Sequence, residues 1–440
     1  MTAEIKKVLI LDGGSSLSLA LELCARDELE VYYFSGGSGD EPKIESQLVG
    51  FGFDRFGLHL VKDFYSLINT EEDKDSWVIL ITDLNFGDLA KWLRDDGWSV
   101  FGPDKKALEL ETKYEVGKDF VQGLGIDVPA FQDFPNLEEL SKGLDTFDPA
   151  KRYVLKINSL SGPVETLVGT PGEIADRLKD TSSIEKGINL GCTLEEYLPG
   201  VPVATAAFFN GEKFLTPVLR VYDSPWGGYL SWYNKCLLFE MSLRKLEIGL
   251  KRMGFRGLVN LNGYFIGKGV WGEGSPAKDT YASFGLNVSG AYPWARVCFK
   301  MIDNLWEMLD STAKQKNREA KLLCKDAFFI NAFHGGNRED FYYLGDIWKL
   351  ERDNPKHYGI TFDNVTMDSA GDVSALPEHG RVFQMIGFGN SYGEAVKGAL
   401  SLFQECQGRI DFKHRCQDLI EDMRDRNIFT RSWLGDENRD

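Results

Sequence analysis

The spacing of apolar residues predicts a parallel α/β sheet at the start of the chain. Apolar runs rich in β-branched and aromatic residues occupy positions 6–12, 30–34 and 78–81. A helical pattern at 17–25 separates the first two runs, and another helical pattern follows the third. Because strands that alternate with helices are joined by right-handed crossovers, these elements predict a parallel sheet covered by helices.

After about position 103 the pattern changes to short strands, turns and separate helices. The expected elements, in chain order, are one or two helices at 104–124, short strands from 151 to about 215 with a helix at 173–178, a helix at 238–253, strands at 257–266 and 281–288, and a helix at 294–310. The polar stretch 311–320 is expected to be an exposed connection, and residues 435–440 to be frayed.

Composition indicates a folded protein and disfavours one class of partner. The 440 residues suffice for about three domains of ordinary size. Hydrophobic residues make up 43% and charged residues 27%, which is typical of a globular rather than a disordered chain. The net charge of −17 disfavours a general nucleic-acid surface, because binding to phosphates depends on an excess of Lys and Arg.

The seven cysteines indicate a reducing environment. They are scattered, odd in number and without a Cys-x-x-Cys pair, and the histidines form no zinc-ligand spacing with them. The N-terminus shows no signal-peptide pattern, and no apolar run approaches the ~20 residues of a membrane span. We therefore expect a cytoplasmic protein with no membrane partner, and a monomer or a weak dimer.

Lys156 is the single residue that points most directly to chemistry, because it lies inside the strand-like run Tyr153–Ile157. A bare ammonium group is costly to bury, so a lysine in such a strand needs an anionic partner. The alternative is a lysine at a strand edge whose charged end reaches water.

Further motifs accompany Lys156 in a fixed order along the chain. They are Phe101-Gly102-Pro103-Asp104-Lys105, Glu111-Thr112-Lys113, Gly125-Ile126-Asp127-Val128-Pro129, Leu194-Glu195-Glu196-Tyr197-Leu198-Pro199-Gly200, Gly254-Phe255-Arg256-Gly257 and Gly380-Arg381-Val382-Phe383. This order resembles the ATP-grasp superfamily, and more specifically phosphoribosylamine–glycine ligase, the glycinamide ribonucleotide synthetase of purine synthesis. The likeness extends over roughly 400 residues, and several agreeing signals outweigh one short pattern.

The resemblance implies an α/β protein with the ATP-grasp fold and several domains. A Rossmann-like N-terminal domain is expected at 1–103, followed by the nucleotide-binding domain at 104–325. The latter would contain a lid-like subdomain at about 130–198. A small C-terminal α/β domain is expected at 326–425, and residues 426–440 would form a tail.

The resemblance also implies an ATP site. Lys113 and Lys156 match the two lysines that contact the nucleotide, although Lys113 taken alone would be an ordinary surface residue. The hinge expected to meet the adenine consists of Glu195, Glu196, Tyr197 and Leu198. A solvated acidic turn is the alternative interpretation of the two glutamates.

The segment expected to bind Mg²⁺ departs from the family pattern Glu-x-Asn-x-Arg-x-Gly-Asp-Pro-Glu. Gly285 replaces the first Glu and Ser289 replaces the Arg, whereas Asn287 is retained as a candidate ligand. Because Mg²⁺ is usually bound through one or two carboxylates and substrate phosphates, this loss should weaken the metal site. Glu273, farther upstream, is a candidate replacement. The loop after Lys156 also lacks the family's Gly-Lys-Gly core.

Two further segments are candidates for binding substrate. Gly13 and Gly14 follow the first strand, a position that suits an anion at a helix N-terminus, and a plain tight turn is the alternative. The second segment stands where the family has its glycine-rich substrate loop, and it contains Trp226, Gly227, Gly228 and Tyr229. Its aromatic residues are suited either to stacking on a flat ligand or to packing in a core or interface.

The sequence therefore favours an ATP-dependent carboxylate–amine ligase with a changed acceptor, with ATP and Mg²⁺ as cofactors and a nucleotide and a small molecule as ligands. Two alternatives stay open. One is a catalytically degenerate ATP-grasp protein that binds a nucleotide, a ligand or a partner protein. The other is a ligase whose acceptor is a nucleotide or a nucleic-acid base. The sequence identifies no catalytic residue.

Overall fold

The structure is a computed structural model of the chain. The residues it describes are 5–36, 48–158, 166–179, 190–198, 200–234, 237–266, 280–290, 292–335, 340–353, 359–376 and 380–425. The candidate metal ligand Glu273, the loop at 159–165 and the tail at 426–440 lie outside the described residues.

The first strands form a five-stranded parallel sheet, which confirms the prediction from the apolar pattern. They are β1 (Lys6–Leu11), β2 (Leu29–Phe34), β3 (Leu58–Leu60), β4 (Trp77–Ile81) and β5 (Val100–Phe101). Their order is β3-β2-β1-β4-β5. The helices of this region are α1 (Leu17–Cys24), α2 (Phe64–Thr70) and α3 (Gly87–Asp95). Every residue of β4 is buried, as expected for a parallel strand covered on both faces.

Two consecutive helices lead away from this sheet, α4 (Lys105–Thr112) and α5 (Tyr114–Gly123). Asp104 caps α4 by accepting a hydrogen bond from the backbone N–H of Ala107 at 2.8 Å. Lys113 separates the helices because its backbone is extended, with φ of −118° and ψ of 100°. The expected helical region at 104–124 therefore consists of two helices.

A small antiparallel sheet with two helices follows, and we call it the lid. Its strands are β6 (Phe131–Phe134), β7 (Tyr153–Ile157), β8 (Leu167–Gly169) and β9 (Cys192–Glu196), and its helices are α6 (Leu137–Gly143) and α7 (Pro171–Lys179). The strand order is β6-β9-β7-β8. Leu140, Leu155 and Leu194 lie at the centre of a core that belongs to the lid alone.

The strands after the lid form one large sheet and one small sheet. They are β10 (Val201–Phe209), β11 (Val218–Ser224), β12 (Gly227–Tyr233), β13 (Gly257–Ile266), β14 (Thr280–Asn287), β15 (Asp326–Phe333), β16 (Tyr342–Tyr343), β17 (Ile360–Phe362), β18 (Val365–Met367), β19 (Val373–Ala375) and β20 (Arg381–Gly389). The large sheet has the order β14-β13-β10-β11-β12-β15-β20-β17, and the small one β16-β19-β18. Since β12 pairs with β15, the expected boundary after position 325 lies within one sheet.

The remaining helices differ from the expectation at two breaks. They are α8 (Leu237–Met241), α9 (Leu243–Met253), α10 (Pro293–Lys300), α11 (Leu305–Ala313), α12 (Gly345–Asp353), α13 (Tyr392–Gln407) and α14 (Cys416–Asp425). Ser242 separates α8 from α9 and donates its hydroxyl to Leu238 O. Asn304 precedes α11 and accepts a hydrogen bond from Lys321 N at 2.7 Å. Residues 311–313, expected to be exposed, are buried at the end of α11.

One apolar core joins the two largest sheets. Val8 and Ile10, on one face of the parallel sheet, belong to the same cluster as Phe208 and Phe328 of the large sheet. Leu9, on the opposite face of the parallel sheet, belongs to a separate cluster that includes residues of α2 and α3. No helix among the described residues is long and apolar enough to cross a membrane.

The packing of α13 on β20 depends on a glycine and can be tested by adding one methyl group. A Cβ at Gly387 would overlap Ala395 O and Ala399 N of the helix. Gly387→Ala should therefore lower the free energy of unfolding by about 1–3 kcal/mol through overpacking. Gly393→Ala, within α13 itself, is the control, since a Cβ there meets no atom within 4 Å. Urea denaturation measures both variants, and equal effects would contradict this account.

Candidate functional site

The register of the lid sheet places Lys156 and Glu195 on one face. Lys156 lies opposite Thr193, and Glu195 lies two positions farther along β9, so both side chains leave the same side of the sheet. Lys156 Nζ is 2.6 Å from Glu195 Oε1 and donates a second hydrogen bond, also of 2.6 Å, to Phe284 O on β14. Lys156 therefore connects the lid to the large sheet.

A second lysine completes this group. Lys118 on α5 contacts the other carboxylate oxygen of Glu195, so each oxygen is paired with one lysine. The side chains of Lys118 and Glu195 are each only 3% exposed, and that of Lys156 is 9% exposed. We call these three residues the buried triad. Two ammonium groups and one carboxylate give the buried triad a net charge of +1 in a nearly dry place.

Aromatic rings enclose the buried triad. Lys156 Nζ lies 4.8 Å from the ring centre of Phe284 and 5.5 Å from that of Tyr114, and Lys118 Nζ lies 5.2 Å from that of Phe131. Such ring faces attract cations. Burial lowers the pKa of Lys156 to about 8, and Lys118 acts in the same direction, whereas the charge of Glu195 opposes the shift. A cavity of about 20 Å³ borders Lys118, which is room for about one water molecule.

Lys113, the other lysine expected at the nucleotide, is not part of the buried triad. Its side chain is 50% exposed and forms an ion pair of 2.8 Å with Glu109 of the preceding helix turn. Lys118, which the sequence analysis missed, lies on the buried face of α5 together with Gly117 and Val121. Lys118 and Val121 are three positions apart and so share one face of the helix. This spacing is the sequence signal that could have indicated a buried Lys118.

The hinge continues from β9 to the start of β10. Glu196 points outward and pairs with Lys151 at 3.0 Å. The Tyr197 N–H donates to Arg152 O at 3.1 Å, and the Arg152 side chain lies 5.1 Å from the Tyr197 ring centre. Leu198 O accepts a hydrogen bond from Gly200 N at 3.0 Å. Of the two hinge glutamates, only Glu195 therefore belongs to the buried triad.

The expected metal segment lies at the end of β14. Gly285 lies opposite Asn262, and Asn287 lies opposite Asn260. A Cβ at Gly285 would meet only Asn262 atoms, at 3.8 Å and beyond, so the position has room for a side chain. The amide side chain of Asn262 therefore lies opposite the position where the family pattern has its carboxylate.

Glu111 on α4 binds the segment that follows Asn287. Its oxygens accept hydrogen bonds from the backbone N–H groups of Val288 and Ser289 at 2.7 and 2.9 Å. The hydroxyls of Ser289 and Tyr292 donate two more, at 2.9 and 2.8 Å. Burial raises the pKa of Glu111, and these four donors oppose the shift. Ser289, at the family's arginine position, is thus engaged by an internal carboxylate.

The described residues do not fit a magnesium ion. They contain no group of three or more His, Cys, Asp or Glu side chains that could bind a metal. Glu111 contacts this segment, but its carboxylate already accepts hydrogen bonds from four donors. Asn287 alone is a weak ligand set for a cation that prefers carboxylate oxygens.

The backbone amides of the glycine turn after β1 are bound by a side-chain carboxylate of the same turn. Asp12 Oδ2 accepts hydrogen bonds from the N–H groups of Gly14 and Ser16 at 2.9 and 2.7 Å. The hydroxyls of Ser15 and Tyr33 donate to the same carboxylate at 3.0 and 2.7 Å. Gly13 packs against Asp83, since a Cβ there would overlap that carboxylate. Two amides that would suit a bound anion are therefore engaged by Asp12.

The aromatic segment is divided between the core and an open cleft. Tyr229 is buried, and its hydroxyl donates to Asp326 at 2.6 Å, as the core interpretation requires. Gly227 and Gly228 allow close strand packing, because a Cβ would overlap Phe329 O or Tyr222 O respectively. Trp226 instead lines a cleft of about 450 Å³ between the large sheet and α14.

Comparison with known proteins agrees with this architecture. Phosphoribosylamine–glycine ligase of Streptococcus suis is 24% identical over 220 residues, which are 48% of this chain and 49% of that protein. The chain thus spans about half the length of this relative in sequence. The crystal structure of phosphoribosylamine–glycine ligase from Thermotoga maritima matches with a TM-score of 0.63 at 18% identity, covering 92% of this chain and 97% of that one. No family model matches the sequence.

The chain is a distant relative of the phosphoribosylamine–glycine ligases. Its fold is the ATP-grasp fold. An N5-carboxyaminoimidazole ribonucleotide synthetase in complex with ADP matches with a TM-score of 0.57 at 13% identity, covering 92% of this chain and 99% of that one. In this ATP-grasp fold, the buried triad lies where the lid meets the large sheet.

The buried triad predicts a strong dependence of stability on Glu195. Glu195→Gln removes the charge shared by Lys118 and Lys156 and should lower the free energy of unfolding by about 3–5 kcal/mol, the range for breaking a buried ion pair. The neighbouring Glu196→Gln is the matched control, because its pair with Lys151 is exposed and should contribute nothing measurable. Denaturation by urea distinguishes them, and equal stabilities would refute the role assigned to Glu195.

Proposed function

We propose that this protein is an ATP-dependent ligase of the ATP-grasp type that joins a carboxylate to an amine, with an acceptor different from that of phosphoribosylamine–glycine ligase. In this reaction the γ-phosphoryl group of ATP passes to a carboxylate oxygen, giving ADP and an acyl phosphate. The amine nitrogen then attacks the carbonyl carbon. The C–N bond forms, the C–O bond to phosphate breaks, and the nitrogen loses a proton.

The observation that carries this proposal is the excess positive charge of the buried triad. Lys118 and Lys156 are two buried cations that share one carboxylate. An anionic ligand that neutralises the remaining charge gains strongly, because a low-dielectric site strengthens electrostatic attraction. Nucleotide phosphates are ligands of this kind, and we assign them to Lys156 and Lys118.

The adjoining hinge is the proposed place of the adenine. Glu195, Glu196, Tyr197 and Leu198 form the end of β9 and its exit toward the large sheet. Because the cavity beside Lys118 is only about 20 Å³, a nucleotide requires the lid to move away from β14. We propose that Lys156 exchanges its bond to Phe284 O for a phosphate oxygen during this movement. Lys113 would lie at the entrance, where it is exposed.

The second candidate function is a catalytically degenerate nucleotide- or ligand-binding protein. The environment of Ser289 favours it, since Glu111 occupies this segment with four hydrogen bonds and Gly285 supplies no carboxylate. We derive no step of the reaction through magnesium for the same reason. ATP turnover, measured with and without Mg²⁺ in the presence of glycine and a panel of amines, separates a ligase from a binding protein.

Nucleotide affinity should depend on Lys156. Lys156→Ala is expected to weaken ATP binding by about 1.5–3 kcal/mol, the contribution of a charge-assisted hydrogen bond. Isothermal titration calorimetry measures the loss. Lys113→Ala should lose less, because that side chain is exposed and already paired with Glu109. Lys142→Ala on the lid surface is the control and should bind ATP as the parent does. Unchanged affinity in Lys156→Ala would assign this lysine to folding alone.

The protein should not efficiently make glycinamide ribonucleotide from phosphoribosylamine, glycine and ATP. Gly285 offers no metal ligand, Ser289 cannot neutralise an acyl phosphate, and the loop at 159–165 lacks the family's lysine. Loss of this electrostatic stabilisation removes most of the rate enhancement in phosphoryl transfer. A bacterial purine auxotroph that lacks the parent ligase provides the measurement. Growth at a near-normal rate on expression of this chain would refute the prediction.

A further inference from the structure

The charges of the buried triad suit a phosphate that carries no metal ion. Lys118 and Lys156 share the single carboxylate of Glu195, so the buried triad keeps an excess of positive charge. A phosphate group that approaches it meets two ammonium groups, whereas a magnesium ion is repelled by the same excess charge. The buried triad therefore favours phosphates that keep their full negative charge.

The end of β14 supplies amides and no carboxylate. Gly285 lies opposite Asn262 of β13, and Asn287 lies opposite Asn260. Because residues directly opposite one another share a face of the sheet, these four positions present three amides and no charged side chain. Neutral amides are poor replacements for the carboxylates through which Mg²⁺ is usually bound. Their N–H groups can instead donate to phosphate oxygens.

Glu111 does not replace the missing carboxylate. It borders the same small cavity as Gly285 and Asn287, but both of its oxygens are engaged. Glu111 Oε2 accepts two backbone N–H groups and Oε1 accepts two hydroxyls, all from the segment after β14. A metal ion bound to Glu111 would leave these donors without an acceptor, and buried donors without an acceptor are costly.

Tyr114 adds an uncharged donor next to Lys156. It is the first residue of α5, and its ring centre lies 5.5 Å from Lys156 Nζ. It also lines the small cavity beside Gly285. Burial raises the pKa of Tyr114, and the charges of Glu195 and Glu111 act in the same direction, so its hydroxyl keeps its proton. No hydrogen bond among the described residues engages this hydroxyl. It is therefore placed to donate to a phosphate that Lys156 contacts.

We infer that the nucleotide site accepts ATP without magnesium, and that Lys118, Lys156 and the Tyr114 hydroxyl are the groups that meet its phosphates. This inference rests on the assignment of the nucleotide to the buried triad in the proposed function. The amides of Asn262 and Asn287 lie on the side where the family pattern has its metal. The ligand is thus the free polyphosphate chain of the nucleotide.

Equilibrium binding in two buffers tests the inference without requiring turnover. Isothermal titration calorimetry measures ATP binding to the whole protein in excess EDTA and in excess Mg²⁺. We expect binding in EDTA to be about ten-fold tighter, because Mg²⁺ takes up negative charge that the two lysines would otherwise meet. Binding that is equal or tighter in Mg²⁺ would overturn the inference.

Substitutions at Gly285 show whether the missing carboxylate is the cause. The position has room for a side chain, because a Cβ there meets only Asn262 atoms, at 3.8 Å and beyond. Gly285→Glu should reverse the order, so that ATP binds more tightly in Mg²⁺, since a carboxylate binds the metal and repels bare phosphates.

Gly285→Gln is the matched control for this reversal. Its side chain has nearly the same size but no charge, so it should keep the tighter binding in EDTA. Circular dichroism verifies that both variants are folded. The same order of affinities in the two variants would overturn the role assigned to position 285.

Tyr114→Phe removes the hydroxyl and keeps the ring beside Lys156. ATP binding in EDTA should weaken about ten-fold, the contribution of a hydrogen bond to a charged group. The free energy of unfolding should not change, because the hydroxyl has no partner among the described residues. Tyr65→Phe, at a residue that is 55% exposed, is the control and should bind ATP as the parent does. Unchanged affinity in Tyr114→Phe would refute the role of the hydroxyl.

The same measurements separate this inference from the proposed function. Binding that requires Mg²⁺ would refute the metal-free site and leave the nucleotide assignment standing. Failure of ATP to bind in either buffer would refute the nucleotide assignment, and this inference with it. Metal-free binding without amine-stimulated ATP turnover would refute the ligase activity and leave the inference standing.

Discussion

The sharing of Glu195 between Lys118 and Lys156 is the interaction on which the arrangement of this protein depends. It joins three elements that are distant in sequence, namely α5, the lid strands and β14, at a place where almost no water enters. A charge buried in this way requires a partner, because desolvation costs several kcal/mol for each ion. The ion pairs of Glu195 and the bond from Lys156 to Phe284 O therefore stabilise the contact between the lid and the large sheet.

Internal carboxylates recur in this protein at positions where a ligand is expected. Asp12 accepts the amides of the glycine turn, and Glu111 accepts the donors around Ser289. In both places a carboxylate supplies the acceptor that buried backbone N–H groups require. Donors that are satisfied in this way are engaged and do not require a bound phosphate. The fold is that of ATP-grasp structures, whereas the donors of these two segments are satisfied within the chain itself.

The likeness to known proteins reflects this division between fold and site. Over 92% of the chain the backbone follows ATP-grasp structures at 18% identity or less, whereas the sequence match to the curated ligases covers about half of each chain. Hydrophobic pattern and strand order tolerate extensive substitution, because a core accepts many side chains of suitable volume. A site does not, since its function depends on particular atoms at particular distances.

The sequence by itself determined the elements that local periodicity encodes. It predicted the parallel sheet from apolar runs. It also predicted strands at 257–266 and 281–288, which correspond to β13 and most of β14, and placed Lys156 inside a strand where it needs an anion. It did not reveal the breaks at Ser242 and Asn304. The hydroxyl of Ser242 lies 3.0 Å from that of Thr205 on β10, and Asn304 accepts a hydrogen bond from Lys321, so both breaks involve partners outside the helical pattern. Lys118 was missed because helical spacing shows which residues face inward and not which carboxylate they meet.

The tertiary structure alone decided which charges are shared and where sheets continue. Whether Lys113 or Lys118 meets Glu195 depends on the angle between α5 and the lid, which no local pattern specifies. Whether β12 and β15 pair across the expected domain boundary likewise depends on contacts about 100 residues apart, and such pairing is set by burial of the whole sheet. Local spacing sets secondary structure, but the free energy of burying a charge is settled only by the groups that the complete fold brings to it.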